Sequence, residues 1–169
     1  DVVTRTGMYQ NYNMSVSGGT KKYNYFASFG YHNNQGIVIR SGLERYTGRF
    51  NASYQLFKWL RFGLNFSYEY RNNDNNKVTI GGVNYWNGAI FLNPMQKPTD
   101  TVNVLWGTGF DGGQPYNSPY MDAHLITNEA TRKMCTISPN INITLAKGLT
   151  FRSRFNYYVF QRHNYEFYP

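Results

Sequence analysis

The stretch Leu60-Arg61-Phe62-Gly63-Leu64-Asn65-Phe66-Ser67-Tyr68-Glu69-Tyr70-Arg71 decides the fold. Leu60, Phe62, Leu64, Phe66, Tyr68 and Tyr70 alternate without a break with Arg61, Gly63, Asn65, Ser67, Glu69 and Arg71. Successive side chains of a strand point to opposite faces, whereas a helix would scatter these apolar residues around its whole circumference. The stretch therefore reads as a strand with one greasy face and one face bearing ions and amides.

The same period recurs on either side of it. Upstream, Phe57-Lys58-Trp59 forms a tight connection to the run 45–56, where Tyr46, Phe50, Ala52, Tyr54 and Leu56 oppose Arg45, Thr47, Arg49, Asn51, Ser53 and Gln55. Before that, Tyr23, Tyr25, Ala27, Phe29 and Tyr31 alternate with Asn24, Phe26, Ser28, Gly30 and His32 over 23–33. Gly18-Gly19-Thr20-Lys21-Lys22 turns this run back onto Tyr12, Met14 and Val16, on a strand over 9–18. Downstream, Cys135, Ile137, Ile141, Ile143 and Leu145 alternate with Thr136, Ser138, Asn140, Asn142 and Thr144 over 133–145. Ala146-Lys147-Gly148 then turns into 149–160, where Phe151, Phe155, Tyr157 and Val159 oppose Arg152, Arg154, Asn156 and Tyr158. The expectation is an all-β chain with hairpins 9–33, 45–71 and 133–160, about six antiparallel strands pairing in sequential order. Pro139 cannot donate a ladder hydrogen bond, which predicts a bulge or a displaced strand start in the fifth strand.

From 72 to 130 the alternation stops, and Pro94, Pro98, Pro115 and Pro119 fall there among Gly and Asn. Connections this long are uncommon unless they are functional. Short turns at one end, long connections at the other, and strands of about nine to eleven residues form the pattern of a transmembrane β-barrel. In that pattern the short turns are periplasmic and the loop 72–130 is extracellular.

Composition excludes several other classes. Only 15% of the 169 residues are charged, against an average of about 25%, and 18% are aromatic, too many for a solvated coil. No apolar run approaches the roughly 18 residues of a membrane helix. A net charge of +8 raises the question of nucleic acid. Apart from Lys21-Lys22 and Arg132-Lys133, however, the cations are dispersed along the chain and no helix carries them as a stripe. Nucleic acid is therefore not an expected partner. The start, Asp1-Val2-Val3-Thr4-Arg5, shows no initiator Met and no signal core, as expected of a mature protein or a piece of one.

A soluble β-sandwich also alternates, so the two faces must discriminate. Soluble barrels fill their interiors with aliphatics, but here one face is Tyr, Phe, Leu and Ala. Tyr12, Tyr23, Tyr46, Tyr54, Tyr68, Tyr70 and Tyr157 gather near strand ends, where a phenol keeps its ring in lipid and its hydroxyl among headgroups. The opposite face, with Arg49, Arg61, Asn65, Glu69, Arg152 and Arg154, would line a watery or plugged lumen. About six strands cannot close such a barrel, since the smallest natural ones have about eight. An open edge in lipid would leave backbone groups unpaired. Residues 1–169 are therefore expected to be part of a larger barrel.

At this point the residues carry a resemblance. Arg5-Thr6-Gly7, Asn13-Met14-Ser15-Val16-Ser17-Gly18-Gly19, Tyr25-Phe26-Ala27-Ser28-Phe29-Gly30-Tyr31 and Gln35-Gly36-Ile37 resemble the barrel of SusC/RagA-type TonB-dependent transporters of Bacteroidetes. Arg45-Tyr46 with Arg49-Phe50-Asn51, then Trp59-Leu60 and Gly63-Leu64-Asn65, is similar to that family's next hairpin in spacing and order. Asn117-Ser118-Pro119-Tyr120 resembles the Asn-Pro element closing its large extracellular loop, with Ser118 inserted. Lys147-Gly148-Leu149-Thr150-Phe151-Arg152-Ser153-Arg154-Phe155 is similar to the hairpin that follows. The resemblance implies a barrel of about 22 strands plugged by an N-terminal domain that is absent from these residues. It further implies import of oligosaccharides or oligopeptides driven through TonB, with outer-membrane lipids around the barrel and a SusD-like surface lipoprotein over its mouth.

Chemistry of other kinds finds little support. The carboxylates are scattered, with no acid pair for hydrolysis. His32, His124 and His163 lack metal-ligand spacing, and Cys135 reads as a small packing residue. No Gly-x-Ser-x-Gly elbow and no phosphate loop occurs, so neither an enzyme nor a cofactor is expected. The long loop is richer. Tyr85, Trp86, Trp106, Phe110 and Tyr116 accompany Asn84, Asn87, Asp111, Gln114 and Asn117. Flat rings stack on sugar C–H surfaces while amides and carboxylates bond hydroxyls. Trp86, Trp106, Tyr85, Tyr116 and Asp111 are therefore the candidate substrate contacts, against the alternative that the aromatics pack the loop itself or touch the lipoprotein. A non-transporting outer-membrane barrel, an adhesin or a secretion scaffold, is the competing functional class.

Overall fold

The computed structural model describes residues 5–74, 79–80, 83–84 and 127–167. Every regular element among them is a strand. β1 (Tyr9–Gly19), β2 (Tyr23–Gln35), β3 (Gly42–Phe57), β4 (Leu60–Asp74), β7 (Thr127–Ala146), β8 (Leu149–Arg154) and β9 (Tyr157–Phe167) form one antiparallel sheet. The order is β1-β2-β3-β4-β7-β8, with β9 also pairing β7. β5 (Thr79–Ile80) and β6 (Val83–Asn84) pair separately as a short ladder. Neighbours in sequence are neighbours in space, as the tight turns predict. A sandwich would need a second sheet packed on the first, and the described residues form none.

The turns follow from their residues. Between β1 and β2, Thr20 accepts from the amides of Lys22 and Tyr23 through Oγ1, while its own amide donates to the Tyr23 carbonyl at 2.6 Å. Between β3 and β4 a bulge falls at Gln55 and Phe57, and the Gln55 amide nitrogen donates to the Phe57 carbonyl at 2.7 Å. Between β7 and β8 the two-residue loop Lys147-Gly148 sits beside a second bulge, with Gly148 at φ 86°, a left-handed conformation that glycine enters without a side-chain clash. All three turns lie at one end of the sheet. At the other end, residues 36–41 join β2 to β3, a shorter connection than the sequence suggested. The Arg5 guanidinium braces it by donating to the Gly36 and Ser41 carbonyls.

Two expectations change. First, Pro139 causes neither a bulge nor a shifted start. β7 keeps an unbroken register against β4, with Leu64 opposite Pro139. β8 and β9 follow one register along β7, with Asn140 opposite Arg154 and Ile137 opposite Tyr157. Only Phe155 and Asn156 drop out of the ladder between them. In an antiparallel sheet the N–H and C=O of one residue point to the same neighbour. Those of Pro139 point to Phe155, whose amide donates to the Pro139 carbonyl at 3.0 Å, and the return bond is the one that proline lacks. The sixth strand is thus interrupted where the fifth was expected to be.

Second, the ladders outrun the alternation: β4 continues to Asp74, β7 begins at Thr127 and β9 ends at Phe167. Backbone pairing needs no apolar face, so the sheet extends above the greasy band while the sequence pattern lapses.

The apolar side of this sheet has no core of its own. Ala130, at 3% exposure, is the buried hydrophobic residue among those described, whereas Met14 is 77% and Phe155 64% exposed. From the Tyr70 level to the Leu60 level, β4 rises ten residues, about 34 Å. At a barrel tilt of 35–45° this is about 24–28 Å, close to the roughly 25 Å apolar band of an outer-membrane barrel. The surface that would be a liability in water has the height of the hydrocarbon layer.

Candidate functional site

The register sorts the side chains into two faces, and the faces hold the candidate chemistry. On one, Val16, Ala27, Phe50, Phe66, Ile137 and Tyr157 form a row across the sheet, and Tyr25, Ala52, Leu64 and Pro139 form the next. Cys135 lies on this face as a free thiol beside Tyr68.

A tyrosine row closes the band at the end opposite the short turns. Tyr12, Tyr31, Tyr46 and Tyr70 are cross-strand neighbours, with ring centroids 6.2, 5.0 and 6.1 Å apart along the row. Just above it Glu44 accepts from the hydroxyls of Tyr46 at 2.8 Å and Tyr31 at 3.2 Å. The hydroxyls of Tyr31 and Tyr46 thus meet a carboxylate at the edge of the apolar band, as interfacial aromatics do. Tyr31, near the end of the run 23–33 but not among the tyrosines singled out above, belongs to this row. Higher still, Asp74 pairs with Glu129. Burial first and the Glu129 charge second push the Asp74 carboxyl up from its ordinary 3.8, with Arg40 and Arg5 opposing them.

The second face carries the ions and most of the amides and hydroxyls, with Phe26, Met134, Tyr158 and Phe160 set among them. It carries Arg49, Arg61, Asn65, Glu69, Arg152 and Arg154 together, opposite Phe62, Leu64 and Phe66. The arginines on it are not dispersed, as the linear sequence suggested. Arg45 on β3 faces Arg71 on β4, Arg71 faces Arg132 on β7, and Arg132 faces Arg162 on β9. His32 extends the row onto β2. The Nε atoms of Arg45, Arg71 and Arg132 are covered and have no hydrogen-bond partner. The Arg71 terminal nitrogen reaches Asn73 at 3.4 Å and Arg162 Nε reaches Asn164 at 2.8 Å. Glu69, between Thr47 and Met134, lies in the next row of this face.

Toward the short turns a cavity of about 700 Å³ opens on the same face, lined by Arg61, Arg152 and Arg154 with Gln55, Asn140, Asn142 and Thr150. Arg61 Nε donates to Gln55 at 2.9 Å, and no carboxylate lines this cavity. Linear reading grouped Arg61, Arg152 and Arg154 on one face but missed the row Arg45-Arg71-Arg132-Arg162, because its members are tens of positions apart. The signal that could have found it is the strand register, which the turns already implied.

The loop candidates Tyr85, Trp86, Trp106, Asp111 and Tyr116 lie outside the described residues. Among the described residues no three His, Cys, Asp or Glu side chains converge as metal ligands would.

No protein-family model matches the sequence. The chain is 31% identical over 150 residues to TonB-dependent receptor P26 of Formosa agariphila, covering 86% of this chain and 14% of that protein. It is 29% identical over 164 residues to TonB-dependent receptor P39 of the same organism, covering 93% of this chain and again 14% of the relative. The chain thus spans about a seventh of the length of these relatives. Among solved structures it superposes on the RagAB peptide importer in its closed-closed state with a TM-score of 0.72, at 22% identity, over 98% of this chain and 19% of that one. The chain is thus similar across most of its length to these TonB-dependent receptors, and its two-faced sequential sheet with a membrane-high apolar band makes it a wall segment of a bacterial outer-membrane β-barrel.

Proposed function

We propose that the barrel to which this segment contributes is an active importer of oligomeric nutrients, oligosaccharides or oligopeptides, driven through TonB and capped by a SusD-like surface lipoprotein. The observation that carries the reading is the ion-bearing face opposite the apolar band. Charged arginine is costly in hydrocarbon, so this face turns to a lumen, where Arg49, Arg61, Asn65, Glu69, Arg152 and Arg154 stay hydrated or meet cargo and plug. The names of the TonB-dependent receptors support energised transport, and the RagAB importer supports a lipoprotein-capped architecture. In this reading the connection between β4 and β7 is extracellular, and Trp86, Trp106, Tyr85, Tyr116 and Asp111 contact cargo or cap. The segment is wall and loop, and it carries out no bond-making chemistry.

The test is uptake of labelled oligomers by cells with and without the gene for the full-length receptor, repeated with a protonophore. Import lost on deletion and abolished by the protonophore is the expected result. Unchanged uptake, or import indifferent to the proton gradient, returns the protein to the class of adhesins and scaffolds.

A further inference from the structure

Charge is distributed unevenly between the two ends of the sheet. Four of the five lysines among the described residues, Lys21, Lys22, Lys58 and Lys147, occupy the three short turns, and all four are exposed. The carboxylates among the described residues, Glu44, Glu69, Asp74, Glu129 and Glu166, all lie past the middle of the apolar band, toward the opposite end. That end carries both signs, since Arg5, Arg40 and Lys133 stand among the acids. Among the described residues the turn end carries cations alone, with Arg61, Arg152 and Arg154 adding to the lysines from the other face.

The turns do not need the lysine side chains for their shape. Thr20 Oγ1 accepts from two amides in the first, Gln55 Nε2 donates to the Phe57 and Lys58 carbonyls in the second, and Gly148 supplies the left-handed residue of the third. The apolar band runs up to their base, where Tyr23 opposes Tyr54, and Leu60, Ile143 and Phe151 form the last full rung. Lys22 adjoins Tyr23, Lys58 is two residues from Leu60 and Lys147 two from Leu149, so each stands within about 7 Å of chain of an apolar residue. That is the depth of lipid headgroups, where a lysine lays its butyl stem on apolar surface and keeps its ammonium in water. Successive turns are two strand spacings apart, about 10 Å, which is about one Debye length at 0.1 M salt, so their charges act together.

We infer that the three lysine turns form a rim that binds the anionic phospholipid headgroups of the periplasmic leaflet. The inference goes beyond the import reading and takes from it only that the short turns face the periplasm. Anionic headgroups attract basic residues standing just outside a membrane-spanning segment. An ammonium is a compact hydrated point charge on a flexible stem, suited to phosphates that move, whereas the planar fork of arginine suits fixed partners. The same charge at every short turn, all at one height, fits a continuous surface such as a leaflet better than an acidic protein docked at one stretch. Headgroup contacts along this rim fix the height of the wall in the bilayer.

The experiment uses the purified full-length receptor with its lipoprotein, reconstituted into vesicles of phosphatidylcholine and phosphatidylglycerol. A bimane fluorophore on Leu60→Cys reports the lipids beside the turns, and one on Tyr46→Cys reports those at the other end of the band. Each lipid in turn is supplied brominated, so that quenching gives its local abundance against the bulk ratio. The expected result at Leu60 is at least about threefold enrichment of phosphatidylglycerol, falling toward none at high salt, with none at Tyr46. Enrichment should vanish in the K21Q/K22Q/K58Q/K147Q variant and persist in K21R/K22R/K58R/K147R. Heat-modifiable mobility checks that each variant has assembled, and the salt response of the receptor with native turns stands independently of them. Equal enrichment at both ends overturns the inference, as does enrichment that survives salt or the glutamine variant, or that is lost in the arginine variant too. No enrichment at Leu60 also overturns it and leaves the turns to an acidic periplasmic protein. Sidedness is read separately, from a membrane-impermeant maleimide on Lys58→Cys in whole cells. Labelling only after the outer membrane is opened is expected, and labelling of intact cells overturns the sidedness of the import reading whatever the vesicles show.

Discussion

Placing an arginine at Leu64 tests the orientation of the whole sheet. On β4 the apolar band runs from the Tyr70 level to the Leu60 level, so its midpoint falls at residue 65, and Leu64 lies one residue, about 3 Å, from the bilayer centre. Its neighbours across the sheet are Ala52 and Pro139, neither of which offers a counter-charge or a path to water. A lipid-facing arginine at that depth costs about 2 to 4 kcal/mol, or roughly a 30- to 1,000-fold shift in the folding equilibrium. Asn65, one residue along, faces the other way, between Asn51 and Ser138. Asn65→Arg therefore adds a hydrated cation to a wall already rich in them and should stay within about 0.5 kcal/mol. Tyr70→Arg, at the rim, should cost about 0 to 1 kcal/mol. The assay is denaturant titration of the full-length receptor refolded into phosphatidylcholine vesicles, with the folded fraction read from the mobility of unheated samples. Equal costs at Leu64 and Asn65, or a rim cost matching the central one, would refute the assignment of faces.

Three further outcomes follow from the structure. Pro139→Val restores the amide that Phe155 lacks opposite it and should raise stability by about 1 kcal/mol while protecting that amide in hydrogen exchange; a loss of stability would show that the proline is needed for local shape. Asp74 has a folded-state pKa above its ordinary 3.8, so the folded state binds the proton more tightly and stability falls as pH rises through that window. Asp74→Asn should therefore stabilise the receptor at neutral pH, with the difference from wild type vanishing as pH falls below about 4; a variant less stable at neutral pH and equal in acid would reverse the sign. In the long loop, Trp86→Ala and Trp106→Ala should each weaken nutrient binding by more than about 1 kcal/mol with assembly unchanged, and unchanged affinity in both would leave the loop a structural role.

The sequence by itself determined the strands, their pairing order and the identity of their faces. Period-2 alternation from Leu60 to Arg71 admits only a strand, and turns as short as Lys147-Gly148 force the next strand back beside the last. The resemblance to TonB-dependent receptors was legible too, in turn glycines such as Gly18-Gly19 and Gly148 set between alternating strands. Where physics and pattern part company, the sequence misled: Pro139 looked like a fault in its own strand, but its missing amide points sideways, so the gap appears at Phe155 on the neighbour. The strand ends were understated for a related reason, since alternation reports burial and backbone pairing goes on without it. Only the tertiary structure decided the arginine row. Arg45, Arg71, Arg132 and Arg162 look dispersed along the chain because the distance between charges that matters is measured across the ladder. That spacing is fixed at about 4.8 Å by backbone hydrogen bonds, and which residues share a rung is set by the sum of every turn length and bulge before them.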